Sequence, residues 1–287
     1  LTLNEEEFIK SSLRDRSIRI DGRGPFDFRN FGITFHERRG QVEVALGNSL
    51  VLASCYSSIV PPNPSRPHEG FLDFRVDFLP CAHPNSEQVL GKRLDVHRRT
   101  RNEVSTEIER MLEKAVKKAK AINVESLCIK SNEFVWKIQV KLLILSHAGN
   151  MLDLCTVATT LALMHYRVPE IKVNEKKDLQ TLSVLKGLSL HFLPVSITLA
   201  FLDEGDLVVI DPLSSEEQVS DGKLTVCMNV YGDILNLSMS GGAVISEATL
   251  LQAIEVAKLK AVDLTHMMRS SVESDATLRL SLMSKGH

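Results

Sequence analysis

Five permanently charged side chains crowd one short stretch of the chain, residues 91–101 (GKRLDVHRRTR). The five are Lys92, Arg93, Arg98, Arg99 and Arg101, and Asp95 is the one carboxylate among them. Guanidinium groups bind phosphates through paired hydrogen bonds, so such a cluster attracts a nucleic-acid backbone or a free phosphate. A solvated loop has the same composition. The stretch alone leaves both interpretations open.

A group of carboxylates follows a predicted strand in the second half of the chain. Its members are Asp211, Glu216, Glu217 and Asp221. Carboxylates at a strand end can hold a magnesium ion or act as a general acid, but a solvated turn is the simpler interpretation. Residues 240–242 (SGG) could wrap a phosphate in a backbone nest, although a bulged hairpin is the simpler interpretation of so short a run.

Motifs of the common enzyme and metal-site classes do not occur in the sequence. There is no P-loop, no dinucleotide-binding glycine pattern and no Ser/His/Asp order. The histidines and cysteines lack the spacing of zinc ligands. These absences predict no cofactor, no zinc ion and no catalytic residue of these motif classes.

The elements that must position these groups are indicated by hydrophobic periodicity. Alternation with a period near two from residue 33 to 80 and from Trp136 to Ile144 predicts strands, and an apolar stripe at helical spacing predicts a helix over 103–120. Helices are also predicted over 3–14, capped by Asn4, and over 153–166. Later strands are predicted at Ile197–Leu202, Leu207–Asp211, Leu224–Val230 and Ile234–Met239. A last helix capped by Ser246 follows.

This order of elements predicts an α/β protein of two lobes, with mixed sheets flanked by helices. The predicted boundaries are an N-terminal helix over 1–17, a first lobe over 18–185, a second lobe over 186–269 and a tail over 270–287. Periodicity is lost from Ser270 onward, so we expect the tail to fray.

Composition limits the class of protein further. A formal net charge of -2 at pH 7 and a hydrophobic fraction of 44% are ordinary globular values. They argue against a protein that coats DNA through its overall charge. The apolar runs are too short to cross a membrane, and the first residues do not resemble a secretory signal. An odd number of cysteines among apolar neighbours predicts reduced thiols in a cytosolic or nuclear compartment.

Several motifs, in order along nearly the whole chain, carry a resemblance to a known family. Residues 19–23 (RIDGR), 28–31 (FRNF) and 33–35 (ITF) resemble the opening of ribonuclease PH-like proteins. The narrower resemblance is to RNA exosome ring subunits of the exosome component nine (polymyositis–scleroderma autoantigen) type and their archaeal non-catalytic counterpart. It is carried by 124–128 (VESLC), 135–136 (VW), 149–153 (GNMLD), and 210–212 (IDP) through 221–222 (DG).

This resemblance implies a ribonuclease PH-like fold of two lobes and a place in a ring of six such subunits, built from three heterodimers. It implies RNA, cap subunits and a separate nuclease as partners, and no membrane. It also implies a nuclear, nucleolar and cytoplasmic location. The expected work is the guiding of RNA through the ring channel for 3′-5′ processing and decay.

The same resemblance implies that the chain itself is not an enzyme. Active relatives cut RNA with inorganic phosphate, and the arginines that they use fall here on Glu103-Val104 and on Leu152. Their two carboxylates fall on Asp211 and Glu217, and a further acid falls on Lys223. Losing one preorganised donor to the reacting phosphate slows such a reaction by about 10²–10³-fold. The sequence therefore predicts that this copy lacks phosphorolytic activity.

The RNA contacts are predicted from charge and helical spacing within this framework. They are Arg98, Arg99, Arg101, Arg110 and Lys114. Two rival hypotheses remain: an active phosphate-dependent 3′-5′ exoribonuclease, and a standalone binding module unrelated to RNA. In the last case the helix over 3–14 would be either a docking element or a cover for its own lobe.

Overall fold

The computed structural model describes residues 2–82, 104–173, 179–205 and 207–285. The first half contains α1 (Leu3–Arg16), β1 (Phe31–Phe35), β2 (Gln41–Leu46), β3 (Ser49–Val60), β4 (Phe71–Phe78), α2 (104–118, ending in the π-helical turn Glu113–Lys118), β5 (Cys128–Lys130) and β6 (Phe134–Ser146). The second half contains α3 (Met151–His165), β7 (Arg167–Val173), β8 (Leu179–Gly187), β9 (Val195–Leu202), β10 (Leu207–Ile210), α4 (Ser214–Val219), β11 (Gly222–Met228), β12 (Ile234–Gly241) and α5 (Glu247–Lys285).

The first lobe is built on a mixed sheet with the strand order β1-β2-β3-β6-β4, and β5 pairs with β6. β4 runs parallel to β6, whereas the other pairs are antiparallel. Along β2, Val42, Val44 and Leu46 are buried while the residues between them are partly exposed. One face of the sheet is therefore the core face, as the period of two predicts.

The second lobe is an antiparallel sheet with the strand order β10-β9-β11-β12. Every residue of β9 is buried, because elements cover both of its faces. Ile197 and Leu199 join the main core that includes α3 and α5, whereas Ala200 and Leu202 pack with residues of α1 and α4. The predicted class of two lobes with mixed sheets and helices is confirmed.

Helix α3 lies between the two sheets and contacts β2, β3 and β9. Apart from Asp153 and His165, its side chains are apolar or small on every side, which is typical of a fully buried helix. Leu154, Val157 and Leu161 are completely buried. The predicted helix over 153–166 is confirmed, with its first turn at Met151. This first turn points to the seam between the lobes, where the candidate site lies.

Helix α1 covers the second lobe. Ile9 and Leu13 are buried against β9, β10 and α4, so the helix covers a surface of its own chain. The predicted cap was wrong by two residues. Thr2, and not Asn4, is the N-cap, and its hydroxyl accepts from Glu5, whose side chain in turn accepts from the Thr2 backbone.

Helix α5 corrects the prediction for the tail. Ser246 caps it as predicted, because its hydroxyl accepts from the backbone N–H of Thr249 at 3.1 Å. The helix does not end near 269 but runs to Lys285. Its last turns are held to the first lobe: Arg279 Nη1 donates to the Glu37 carbonyl at 2.9 Å, and Asp275 lies 3.3 Å from His165 Nε2. These tertiary contacts leave no periodic signal in the local sequence.

The hairpin of β7 and β8, which lies between the lobes along the chain, forms a separate two-stranded sheet. The sequence predicted only the junction of the lobes there. Pro169 breaks the strand pattern, and the structure places a register shift between Pro169 and Ile171. A bulge is one of the few places where a strand tolerates proline.

Two expectations from composition concern the thiols and the membrane. Cys55, Cys155 and Cys227 are buried free thiols, and burial raises the pKa of Cys155 and Cys227 to about 12. At neutral pH these two sulfurs therefore stay protonated and unreactive.

In the described ranges, no helix combines the length and the apolarity that crossing a bilayer requires.

Candidate functional site

A cavity of about 160 Å³ lies where the two lobes meet. Helix α2, the first turn of α3 and the strands β9, β11 and β12 surround it. Its lining residues are Val104, Glu107, Ile108, His147, Asn150, Met151, Leu152, Thr198, Glu217, Lys223, Thr225, Ser238 and Ser240. Four positions singled out from the sequence, Val104, Leu152, Glu217 and Lys223, thus come together although they are far apart in the chain.

One side of this cavity is apolar. Val104 and Ile108 come from α2, and Met151 and Leu152 come from the first turn of α3. Ile108 is almost completely buried, which fixes the orientation of α2 against the core. Apolar side chains offer no hydrogen bond to an anion, so the side chains of this wall contribute nothing to the binding of a phosphate.

The polar side of the cavity holds an ion pair at the start of α3. Glu217 Oε1 accepts a hydrogen bond from the backbone N–H of Asn150 at 3.1 Å, and Lys223 Nζ lies 3.3 Å from the same oxygen. The N-terminus of a helix attracts anions, because its first N–H groups are free and the helix dipole is positive there. In this chain a carboxylate of α4 already accepts one of these N–H groups, that of the N-cap residue Asn150.

The backbone before α3 has a conformation that requires the residues found there. Gly149 has φ of 99°, and a Cβ on it would lie 2.5 Å from the Ser214 nitrogen. Any side chain would therefore separate α3 from the loop that follows β10. Asn150 has φ of 55°, and asparagine tolerates this left-handed conformation better than most residues. The pair brings the first turn of α3 within reach of α4.

Asp211, one of the predicted carboxylate pair, is not exposed to the cavity but is completely buried. It accepts from Arg29 Nε at 2.8 Å, from the Arg29 backbone at 3.0 Å and from Asn150 Nδ2 at 2.7 Å. Arg23 lies 3.0 Å away. Burial alone would raise the pKa of Asp211, but the hydrogen bonds and charge of Arg29, with the amide of Asn150, hold it below its ordinary value. Its role is structural.

Glu216 is likewise committed to a buried ion pair. Its carboxylate accepts from the Nε of Arg19 at 2.8 Å, and both side chains are fully buried. Arg19 also donates to the carbonyls of Ile210 and Asp211. The predictions for the acidic group were therefore wrong for Asp211 and Glu216, which form neither a metal site nor a solvated turn. Among the described residues, no three acidic, histidine or cysteine side chains are arranged to hold a metal ion.

Asp153 lies in the first turn of α3, in contact with the cavity-lining residues Asn150 and Thr198. Its oxygens accept from Asn150 Nδ2 at 2.9 Å, from the Thr198 backbone at 2.8 Å and from the Thr198 hydroxyl at 2.9 Å. Burial raises the pKa of Asp153 to about 7, despite these hydrogen bonds. With Glu217 it places a second carboxyl group near the N-terminus of α3.

The run 240–242 ends β12, and Gly222 pairs with Gly241 across the ladder. Gly241 has φ of 97°, and the N–H of Gly242 donates to the carbonyl of Asp221 at 2.9 Å. The run thus closes the β11–β12 ladder at the end away from the hairpin turn, and the register shift of this strand pair lies at Cys227/Met228, so the predicted bulged hairpin was wrong for this run. Ser240 nevertheless lines the cavity.

Of the predicted RNA contacts, the structure describes Arg110 and Lys114. Both are exposed on α2, on the side opposite Ile108 and Leu112, which are buried. Arg98, Arg99 and Arg101 lie outside the described residues, as does Glu103. The RNA-contact assignment stays a prediction.

Sequence reasoning did not find Arg19 and Arg29 as partners of the buried acids, nor Asn150 as the residue between two carboxyl groups. Their motifs were visible, since Arg19 lies in residues 19–23 (RIDGR) and Arg29 in 28–31 (FRNF). What the motifs could not indicate is that this segment crosses to the second lobe, about 190 residues later in the chain.

Family models match both lobes. The model of the 3′ exoribonuclease family, domain 1, matches residues 27–169, and that of domain 2 matches residues 193–259. The chain belongs to this 3′ exoribonuclease family, whose two domains are of the RNase PH type.

Within the family, the chain is similar to proteins named exosome complex component RRP45. It is 30% identical to the Danio rerio protein over 279 residues, covering 96% of this chain and 68% of the relative. It is 31% identical to the RRP45A of Arabidopsis thaliana, covering 100% of this chain and 92% of the relative. The Bos taurus protein is 32% identical, and the chain spans 61% of its length. Several mammalian relatives are thus considerably longer than this chain.

Solved structures of exosomes have the same fold. A chain of an Archaeoglobus fulgidus exosome with RNA bound to the active site superposes with a TM-score of 0.76 at 26% identity, covering 92% of this chain and 97% of that one. A chain of an archaeal exosome core superposes with a TM-score of 0.73 at 25% identity, covering 94% and 96%.

Proposed function

We propose that this chain is a non-catalytic ring subunit of the RNA exosome core, of the exosome component nine type, which holds and steers RNA without cleaving it. The observation that carries the absence of catalysis is the hydrogen bond from the Asn150 N–H to Glu217. The similarity to RRP45 proteins and to exosome chains supports the place in a ring.

The chemistry of phosphorolysis explains why this cavity is unsuited to it. A phosphate dianion that attacks a phosphodiester must be neutralised, or repulsion raises the barrier. Among the described lining residues, Lys223 is the one lysine or arginine, and Glu217 already compensates it. Glu107 adds another negative charge. By the resemblance, Val104 and Leu152 stand where active relatives have phosphate-binding arginines. We therefore infer that apolar residues have replaced the phosphate-binding residues in this chain.

The open edge of the second sheet supports assembly with other chains. Within the described chain, β12 pairs with β11 alone, so its outer edge can accept another strand. Leu237 and Met239 share one face of β12 and are 46% and 48% exposed. An exposed apolar edge strand is usually covered in the native protein. We expect a sister RNase PH-type subunit to cover this one.

The RNA path, in this proposal, passes along α2. Arg110 and Lys114 extend the basic segment 91–101, which precedes α2 directly in the chain. In this proposal RNA enters past cap subunits, passes along α2 and continues toward a separate nuclease. A nuclear, nucleolar and cytoplasmic location accompanies this function in the proposal.

Affinity purification of the tagged chain from its own cells tests the proposal. We expect stoichiometric companions that are themselves RNase PH-type chains, and loss of these companions when Leu237 and Met239 are both replaced by lysine. In a matched control, lysine replaces Leu278 and Leu282, which are exposed leucines near the end of α5. This variant should retain the companion chains. A tagged chain that purifies alone would contradict the proposal and favour a standalone module.

A further inference from the structure

A second and larger cavity, of about 480 Å³, lies away from the first, between α5, the C-terminal end of α3 and the segment that follows β8. Its volume is within the range of about 300–1,000 Å³ that is typical of ligand pockets. Nothing in the proposed function uses this cleft, and its ligand can be inferred independently of that function.

The floor of the cleft is apolar and preformed. Met164 from α3, Leu190 and Phe192 from the segment after β8, and Val272 from α5 line it. All four are partly buried and packed against the main core, so the floor does not need to rearrange to receive a ligand. Preorganised apolar surface binds apolar side chains without an added ordering cost.

The rim of the cleft is cationic. Arg167 is held in place because its Nη1 donates to the carbonyls of Met164 at 2.7 Å and Tyr166 at 2.9 Å. These bonds leave its Nε and Nη2 without a partner among the described residues. Arg269, on α5, is exposed and makes no hydrogen bond or ion pair with any described residue. Two guanidinium groups thus border an apolar floor without a carboxylate bonded to either.

A neighbouring cation strengthens the positive character of this end of the molecule. Burial, and after it the charge of Arg39, lowers the pKa of Arg167. Arg39 also has no carboxylate within ion-pair distance among the described residues. One acid, Glu273, lines the cleft beside Val272, and it is exposed and unpaired in the described chain.

We propose that this cleft binds a peptide segment of a partner protein in which a carboxylate stands beside apolar side chains. The carboxylate bridges Arg167 and Arg269, whose planar forks match its geometry, and the apolar side chains lie on Met164, Leu190 and Phe192. An RNA strand fits less well. Single-stranded RNA is held by several stacked aromatic rings along a basic groove, whereas this cleft has one partly buried phenylalanine and a carboxylate at its mouth.

Selection from a random peptide library tests this inference although the partner protein is unidentified. The full chain is panned against phage-displayed 12-residue peptides, and the enriched peptides are synthesised and measured by fluorescence polarisation. We expect enriched sequences to carry Asp or Glu next to Leu, Ile or Phe. Replacement of that acid by its amide should weaken binding at least tenfold.

The variant Arg269→Glu should weaken the selected peptides at least tenfold. The control Lys258→Glu makes the same charge change on the same helix, about 16 Å away along its axis, and should change affinity less than twofold. Circular dichroism verifies that both variants are folded, as expected for exposed positions. The inference is overturned if enriched peptides lack an acid, if none enrich, or if the two variants behave alike. Displacement of the peptide by an oligouridylate of 12 nucleotides would overturn it in favour of RNA.

Discussion

Glu217 and Asn150 meet across the seam between the lobes, where Oε1 of the first accepts the backbone N–H of the second at 3.1 Å. This hydrogen bond places a carboxylate of the chain at the positive end of α3, the position most suited to an external anion in this cavity. The internal carboxylate links the two lobes, and we expect its charge to repel inorganic phosphate.

Glu217→Gln should convert the cavity into a weak anion site. The amide oxygen still accepts from Asn150, while Lys223 loses its compensating charge. We expect phosphate binding to become measurable by isothermal titration calorimetry in the variant and to be absent in the wild type. Glu113→Gln, which removes the partner of Lys117 on α2, is the matched control and should gain nothing. Equal phosphate affinity of wild type and Glu217→Gln would refute the explanation.

Arg29→Met should strongly destabilise the protein. It leaves Asp211 buried without its main cation, and breaking a buried ion pair from one side costs about 3–5 kcal/mol. Equilibrium denaturation in urea measures the loss. Arg66→Met removes one member of the surface pair with Glu69 and should cost no more than about 1 kcal/mol. A loss for Arg29→Met as small as that of the control would show that the buried network is not structural.

The pH dependence of stability should report Asp153. Burial raises its pKa to about 7, so the native state retains a proton that the unfolded state releases near its ordinary value of 3.8. The free energy of unfolding therefore falls as the pH rises from about 4 to about 7, and levels above that.

Asp153→Asn should abolish this decline. His165, whose pKa burial lowers to about 4, adds an opposite trend between about 4 and its ordinary 6.5, so the informative quantity is the difference between variant and wild type. Asp263→Asn, an exposed change on α5, is the control and should follow the wild-type profile. If the free energies of unfolding of Asp153→Asn and wild type differ by the same amount at every pH from 4 to 7, Asp153 is not the group that titrates.

The predicted RNA contacts have a salt signature. In the assembled ring, the double variant Arg110→Ala and Lys114→Ala should reduce the slope of log affinity against log salt by about 1.4, because each lost phosphate contact on a single strand contributes about 0.7. Lys137→Ala with Lys141→Ala removes two lysines that pair with Asp73 and Asp77 on the first sheet, and should leave the slope unchanged. An unchanged slope in the first double variant would remove these residues from the RNA path.

Local periodicity was sufficient to predict much of the fold. The strand predicted from Trp136 to Ile144 is found within β6, Phe134–Ser146, because the alternation of buried and exposed side chains reports directly which face of a strand is buried. The end of α5 was not predictable, since Arg279 and Asp275 are stabilised by His36, Glu37 and His165 from the first lobe. Contacts between residues so far apart in sequence do not affect local periodicity.

The candidate site was likewise predictable only in part. Motif matching singled out Val104, Leu152, Glu217 and Lys223, and all four line one cavity. No rule of sequence spacing connects them. It did not separate Asp211 from Glu217, because a buried acid beside Arg29 and a cavity acid beside Lys223 look identical in sequence. Burial and pairing, which decide their chemistry, exist only in the folded chain.

Whether this chain cleaves RNA is decided by incubating it, purified, with 5′-labelled single-stranded RNA, magnesium and inorganic phosphate. We expect the RNA to remain intact and no nucleoside diphosphate to form at any phosphate concentration up to the millimolar range. Phosphate-dependent release of nucleoside diphosphates, abolished by Lys223→Ala, would contradict this expectation and establish an active exoribonuclease.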